Sequence, residues 1–111
     1  MNPPVKLDGL PMIIISDTLT GQSQTLTANG NAWGAVSIPE IDGYVPFSVV
    51  RWHLSSISTK QLVPYAVAIV DAGSPNQRVT IAVDNLTSSQ QSFTPTAIIG
   101  YIRGTVKNLA T

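Results

Sequence analysis

Short segments in which apolar and polar residues alternate recur along this chain, separated by turn residues about every ten positions. The clearest lies at residues 78–85, where Val79, Ile81 and Val83 alternate with polar or small residues. A period of two is typical of a half-buried strand, and no segment of useful length has the period of a helix. The pattern therefore predicts an all-β fold.

About six or seven strands are predicted, and the turn residues between them indicate how they connect. Asn29-Gly30 is a strong hairpin signal because both residues tolerate positive φ, and a two-residue turn there would place Leu26 opposite Trp33. Short turns between successive strands favour antiparallel pairing, so we expect an antiparallel two-sheet sandwich that is jelly-roll-like. The strands are expected at residues 12–17, 24–28, 32–38, 44–55, 61–71, 78–85 and 94–106.

One domain with a short preceding arm is expected from the length and the N-terminal sequence. Residues 1–10 are predicted to be an arm or linker, because Pro3-Pro4 and Gly9 disfavour regular structure. Residues 11–111 are predicted to form the β-sandwich domain.

The strand at residues 44–55 is apolar on both sides at its start and sorts into two faces at its end. Pro46 cannot donate to a strand ladder, so it predicts a bulge or an edge position. The buried face is predicted to carry Val50, Trp52 and Leu54, and the polar face Arg51, His53 and Ser55.

The last predicted strand has two apolar rows, one with Ile98, Ile102 and Val106 and one with Ile99 and Tyr101. One row can fill the sandwich core, whereas the other needs a cover that no predicted helix supplies. We expect Ile99 and Tyr101 to contact a neighbouring subunit about a threefold axis, since a closed ring leaves no open end. The remaining candidates for this oligomer interface are Arg51, His53 and Arg103.

Composition supports an oligomer and disfavours several other classes of protein. Charged residues make up 11% of the chain, against about 25% in typical domains, which suggests that part of the surface is buried between subunits. A surface rich in Ser, Thr, Asn and Gln is the alternative explanation. The net charge is zero and neither sign clusters, which disfavours nucleic acid as a partner. The apolar runs are too short for membrane insertion, and the N-terminus does not resemble a signal peptide.

No arrangement of residues that would support catalysis is evident, so we expect no enzyme activity, no cofactor and no metal site. His53 is the only histidine and there is no cysteine, whereas catalytic triads and most metal sites need more than one such group. Glu40 and Asp42 are close together in a predicted turn, where solvated charges are the simpler interpretation.

Trp33 is the best candidate for contact with a sugar, because it closely follows the polar loop at residues 29–31. Sugar-binding sandwiches commonly present an exposed aromatic ring beside polar side chains. Asn31 and Tyr44 are the other ligand-binding candidates. The alternative is that Trp33 is a core residue packed against Leu26, since tryptophan is highly buried on average.

The run from Val36 to Trp52, with its Ile-Pro turn and its Gly-Tyr-Val-Pro element, resembles a module of bacteriophage and prophage tail proteins. The segment 96–103 resembles the closing apolar strand of that module, and residues 85–90 its preceding polar turn. The resemblance covers roughly residues 20–106. Trp33, the loop at 29–31 and His53 depart from the pattern.

The resemblance implies a small C-terminal sandwich of a tail fibre, baseplate or minor structural protein, located in the virion tail and otherwise soluble. Such domains typically form homotrimers, and some contact the host surface, often a glycan. The family supplies no catalytic residues. The leading hypothesis is therefore a structural, homotrimeric tail domain, and the alternative is a carbohydrate-binding receptor-recognition module.

Overall fold

The computed structural model describes residues 11–104, and these residues form eight β-strands and no helix. The predicted all-β class is confirmed. The predictions for residues 1–10 and for Val106 lie outside the described residues. The strands are β1 (Ile13–Ile15), β2 (Leu19–Thr20), β3 (Gln24–Leu26), β4 (Asn31–Ser37), β5 (Tyr44–Ser55), β6 (Leu62–Val70), β7 (Arg78–Asn85) and β8 (Gln91–Arg103).

The larger sheet is built around β8, which is the longest strand at 13 residues. One edge of β8 pairs with β5 over most of its length. Its other edge pairs in turn with β3, β2 and β1, which together follow β8 as one interrupted strand. All of these pairings are antiparallel, so β5 lies at one edge of the sheet and β1–β3 lie at the other.

The smaller sheet has the order β4-β7-β6 and is also antiparallel. Among the described strands, β6 and β7 are the only consecutive pair that are hydrogen-bonded to each other. The chain crosses from one sheet to the other after β3, β4, β5 and β7. This winding between two packed sheets is the jelly-roll-like sandwich that the sequence predicts. With β1–β3 taken as one interrupted strand, the eight strands form six positions across the two sheets.

The Asn29-Gly30 turn is present, but it joins the two sheets and does not form a hairpin. Asn29 has a φ of 54°, and the Gly30 N–H donates to the Thr27 carbonyl at 3.0 Å. The turn bonds to the end of β7 and to the loop that follows it, since the Asn85 N–H donates to the Gly30 carbonyl and the Asn29 N–H donates to the Thr87 carbonyl.

The predicted pairing of Leu26 with Trp33 is therefore wrong. Leu26 is buried in the core, whereas Trp33 lies opposite Ala82 on the outer side of the smaller sheet.

The core lies between the two sheets and receives every second residue of β7, as the alternation predicts. Val79, Ile81 and Val83 are fully buried. The other members of the core cluster are Leu26, Val36, Ile38, Leu62, Phe93, Ala97, Ile99 and Tyr101.

Strand β5 contains two irregularities that change which residues face the core. The register with β8 shifts between Pro46 and Ser48, which confirms the predicted bulge, and shifts again between Val49 and Arg51. The second shift leaves Val50 on the outer side and 51% exposed, so its predicted burial is wrong. Leu54 does pack against the core.

Trp52 pairs with Ala97 and so belongs to the inner side of the larger sheet, yet it is 39% exposed. Because β5 is an edge strand, Trp52 lies at the margin of the sandwich and not in the core cluster. The prediction that it is a core residue is wrong.

The two apolar rows of β8 face the opposite sides of the sheet from those predicted. Ile99 and Tyr101 are fully buried in the core, so they cannot supply a surface for a partner. Ile98 and Ile102 lie on the outer side and are partly exposed. The proposed interface role is therefore wrong for Ile99 and Tyr101.

Candidate functional site

The outer side of the larger sheet carries a continuous group of apolar side chains, which we call the outer patch. Directly opposed residues in antiparallel strands share a side of the sheet, so Ile13 lies beside Ile102, and Ile15 beside Gly100. Ile15 is 57% exposed. The patch consists of Ile13 and Ile15 from β1, Phe47 and Val50 from β5, and Ile98, Gly100 and Ile102 from β8.

The bulges of β5 bring two of these side chains over Gly100. A Cβ atom at Gly100 would lie 3.3 Å from Val50 Cγ2 and 3.5 Å from both Phe47 Cε1 and the hydroxyl oxygen of Ser48. The space that a side chain at position 100 would occupy is therefore filled by side chains of the neighbouring strand. The consequence is a mainly apolar surface that spans three strands, with the Ser48 hydroxyl beside Gly100 and no charged residue among its members.

Arg51 and His53 lie at one end of the outer patch, on the same side of β5. Arg51 is paired with Ile98 and His53 with Thr96, and the Thr96 hydroxyl donates to the His53 carbonyl at 3.1 Å. Together with Thr18 they line a depression of about 290 Å³. Both residues are among the interface candidates named from the sequence, and the structure places them beside the outer patch.

Arg103 is the last residue of β8 and is half-buried. Its N–H donates to the Met12 carbonyl at 2.9 Å, which ties the end of β8 to the start of the described chain. Its cross-strand partner on β5 is Tyr44, which packs against the core, so Arg103 belongs to the inner side of the sheet and is not part of the outer patch.

A second surface lies on the outer side of the smaller sheet, where two aromatic rings meet. Trp33 of β4 and Tyr65 of β6 have ring centroids 6.4 Å apart and ring planes at 67°. Strand β7 lies between these strands, so the rings meet above it at Ala82, the partner of Trp33. Ala82 is fully buried although it is on the outer side.

The two rings remain half exposed above Ala82, at 54% for Trp33 and 52% for Tyr65. Asn31 lies two residues before Trp33 on the same side of β4, and its partner across the sheet is Asp84. We call Asn31, Trp33, Tyr65 and Asp84 the aromatic face. The structure thus brings together two of the candidates predicted from the sequence, Asn31 and Trp33.

Tyr44, the third ligand-binding candidate, is on the other sheet. It is half-buried against the core, and its hydroxyl donates to the Pro11 carbonyl at 2.7 Å. Tyr44 therefore does not share a surface with Trp33 and Asn31, because the chain crosses from the smaller to the larger sheet between β4 and β5.

Tyr65 was not found from the sequence, although a signal exists. The register of β6 with β7 shifts between Pro64 and Ala66, so Tyr65 occupies a bulge. Pro64 indicates this irregularity in β6 as Pro46 does in β5, since a proline within a strand marks a bulge or an edge position.

Other chemistry within residues 11–104 is sparse. No group of three or more His, Asp or Glu side chains in this range is arranged to hold a metal ion. Arg78 and Asp71 form an exposed ion pair with 3.0 Å between Nη1 and Oδ2. No helix among these residues is long and apolar enough to cross a membrane.

Fold and surfaces together define this chain as an all-β, two-sheet sandwich with an apolar outer patch on one sheet and an aromatic face on the other. Comparisons with protein-family models, curated protein sequences and solved structures found no match to it.

Proposed function

We propose that this chain is a non-enzymatic structural domain of a phage or phage-like tail, and that it assembles as a homotrimer through the outer patch. The observation that carries the proposal is the apolar surface across β1, β8 and β5. A sheet face of this kind is normally covered, and large exposed apolar patches mark interaction sites.

The amount of exposed apolar surface supports burial by another copy of the chain. Covering one half-exposed Ile, Val or Phe contributes about 1 kcal/mol. The four most exposed members, from Ile13 to Val50, would together supply on the order of 4 kcal/mol per subunit before the cost of association. An apolar centre with Arg51 and His53 at its edge also has the usual layout of an interface core and polar rim.

The assignment to a tail and the threefold order rest on the sequence resemblance. The segments that carry it, 36–52 and 96–103, include most of β5 and β8, which are two of the three strands of the outer patch. The scarcity of histidine and the absence of cysteine from the sequence support a structural and not a catalytic role.

Sedimentation velocity tests the assembly. The native chain should sediment with a molecular mass three times the 11.8 kDa of one subunit. The double variant Ile15→Asp, Val50→Asp should sediment as a folded monomer, because two carboxylates cannot be buried unpaired in the contact. Leu86→Asp is the matched control, since Leu86 is an exposed apolar residue in a loop, and it should remain trimeric.

Two outcomes would contradict the assembly: a monomeric native chain, or a double variant that remains trimeric. The tail assignment has its own test, which is immuno-electron microscopy of particles from the source culture with an antibody against the purified domain. Gold at one end of tail-like particles is expected. Particles without label would make the tail assignment wrong while leaving the trimer intact.

A further inference from the structure

We propose that the aromatic face of the smaller sheet, formed by Asn31, Trp33, Tyr65 and Asp84, is a binding site for a neutral saccharide. This inference goes beyond the structural role proposed above, because it concerns the opposite sheet. The outer patch and the aromatic face point away from each other, so assembly through the patch leaves the aromatic face open.

The ring geometry provides a platform and a wall. Because the Trp33 and Tyr65 planes are at 67°, a ligand that lies flat on one ring meets the other ring from its side. The C–H groups of a pyranose are weakly positive and are attracted to the negative face of an aromatic ring. Ala82, the cross-strand partner of Trp33, lies between the two strands that carry the rings and has no exposed surface.

The polar groups around the rings have unused hydrogen-bonding capacity. Among residues 11–104, no side-chain hydrogen bond or ion pair engages Asn31, Tyr65 or Asp84, nor the indole N–H of Trp33. By contrast, Asn85, the next residue after Asp84, uses its amide in bonds to Thr27 and Ser89. The aromatic face therefore presents free donors and acceptors beside its two rings.

The spacing of these groups fits one sugar ring. Asn31 and Asp84 are cross-strand partners, which places their Cα atoms roughly 5 Å apart. Each lies two residues along its strand from the ring platform, a separation of about 7 Å. A pyranose on the platform can direct adjacent hydroxyls to the Asn31 amide and the Asp84 carboxylate, and a carboxylate accepts two such hydrogen bonds.

The charge of the aromatic face favours a neutral ligand over an anionic one. Asp84 supplies the only charge of the site. The cation on the same side of β7, Arg78, is paired with Asp71 at the other end of the strand. An acidic sugar or phosphate would meet the Asp84 carboxylate without a compensating cation.

Nuclear magnetic resonance can test the proposal, because the chain has two tryptophans, one on each sheet. The indole N–H signals are assigned with Trp33→Phe and Trp52→Phe. The native chain is then titrated with glucose, galactose, mannose, N-acetylglucosamine and their neutral oligosaccharides. At least one of these should move the Trp33 signal in a saturable manner, while the Trp52 signal stays in place as an internal control.

Variants identify the groups that bind. Asp84→Asn and Asn31→Ala should each weaken saccharide binding about fivefold, as expected for loss of one hydrogen bond. Ser37→Ala, on the same side of β4 but away from the rings, should bind as the native chain does. The double variant Ile15→Asp, Val50→Asp should also retain binding, so failure of the trimer does not affect this test.

Three results would overturn the inference. The first is a Trp33 signal that stays in place with every saccharide, and the second is a joint shift of both tryptophan signals. The third is a Ser37→Ala variant whose binding is weakened as much as that of Asp84→Asn. If Trp33→Ala instead lowers the sedimenting mass of the chain, the aromatic face is a contact between copies and the saccharide site is wrong.

Discussion

The Tyr101 hydroxyl and the Gln77 side-chain amide donate hydrogen bonds to one acceptor, the carbonyl oxygen of Pro39, at 2.8 and 3.0 Å. Gln77 also donates to the Ile38 carbonyl at 3.1 Å and accepts from the Gly73 N–H at 3.0 Å. Tyr101 belongs to the larger sheet, and Gln77 directly precedes β7 of the smaller one. The crossing from β4 to β5 is thereby attached to both sheets.

Replacing Tyr101→Phe should lower the free energy of unfolding by about 1 kcal/mol, the usual net value of one hydrogen bond. The loss stays modest because the Pro39 carbonyl keeps its bond from Gln77. Urea denaturation measures the change. Tyr65 is exposed and its hydroxyl bonds to no described residue. Tyr65→Phe should therefore have the same urea midpoint as the native chain. A Tyr101→Phe variant as stable as the native chain would contradict the role of this bond.

Stability should also fall at alkaline pH through Tyr101. Burial raises the pKa of the Tyr101 phenol above its ordinary value of 10.0, because the charged form is desolvated. The folded state therefore holds this proton more tightly than the unfolded state does. The stabilisation is complete below pH 10 and is lost as the pH rises above it. Above pH 10 the urea midpoint of the native chain should therefore fall more steeply than that of Tyr101→Phe; equal slopes would contradict this.

Asn85 organises the loop between β7 and β8, and its removal should be costly. Its amide donates to the carbonyls of Thr27 and Ser89 at 2.9 and 2.8 Å, and its oxygen accepts from the Thr87 N–H at 2.9 Å. Asn85→Ala leaves these groups without partners in a part-buried site and should cost about 2–3 kcal/mol. Asn31→Ala, at an exposed asparagine, should change stability by less than about 0.5 kcal/mol. Similar thermal midpoints for the two variants would be inconsistent with this role.

Gly34 allows the two sheets to approach closely, and adding a methyl group there should destabilise the sandwich. A Cβ atom at Gly34 would lie 2.8 Å from Phe93 Cε2 and 2.9 Å from Pro95 Cγ, both in the larger sheet. Gly34→Ala should therefore cost about 1–3 kcal/mol through overpacking. Ala35→Val adds more volume one residue later but on the exposed side, and should be near neutral. If Ala35→Val is the more destabilising of the two by urea denaturation, the assigned sides of β4 are wrong.

Local chemistry in the sequence was sufficient to predict strands and turns but not their partners. The bounds of β5 and the bulge at Pro46 were predicted, because a turn glycine and a proline act through their own backbone. The Asn29-Gly30 turn was also predicted, but a turn does not determine whether the next strand joins the same sheet. The hydrogen bonds that decide this come from Thr87 and Asn85, more than fifty residues later.

The candidate surfaces show the same limit. Both rows of β8 are apolar, so periodicity alone could not choose between them. The choice follows from volume, since Gly100 leaves the row of Ile98 and Ile102 too small to fill the core, and from the hydrogen bond that the Tyr101 hydroxyl finds at Pro39. Trp33 was recognised as a candidate from its loop, whereas Tyr65 joins it only because β4 and β6 are both neighbours of β7.

Trp52 provides a direct test of the edge position of β5. Its inward register with Ala97 alone would predict a core residue whose loss costs several kcal/mol, but its partial exposure at the sandwich margin predicts less. We expect Trp52→Ala to cost about 1–2 kcal/mol, in proportion to the apolar area that remains buried. Phe93→Ala, which empties a fully buried position, should cost about 3–5 kcal/mol. Urea denaturation of both variants gives the comparison, and a Trp52→Ala loss equal to that of Phe93→Ala would show that Trp52 is enclosed by the core after all.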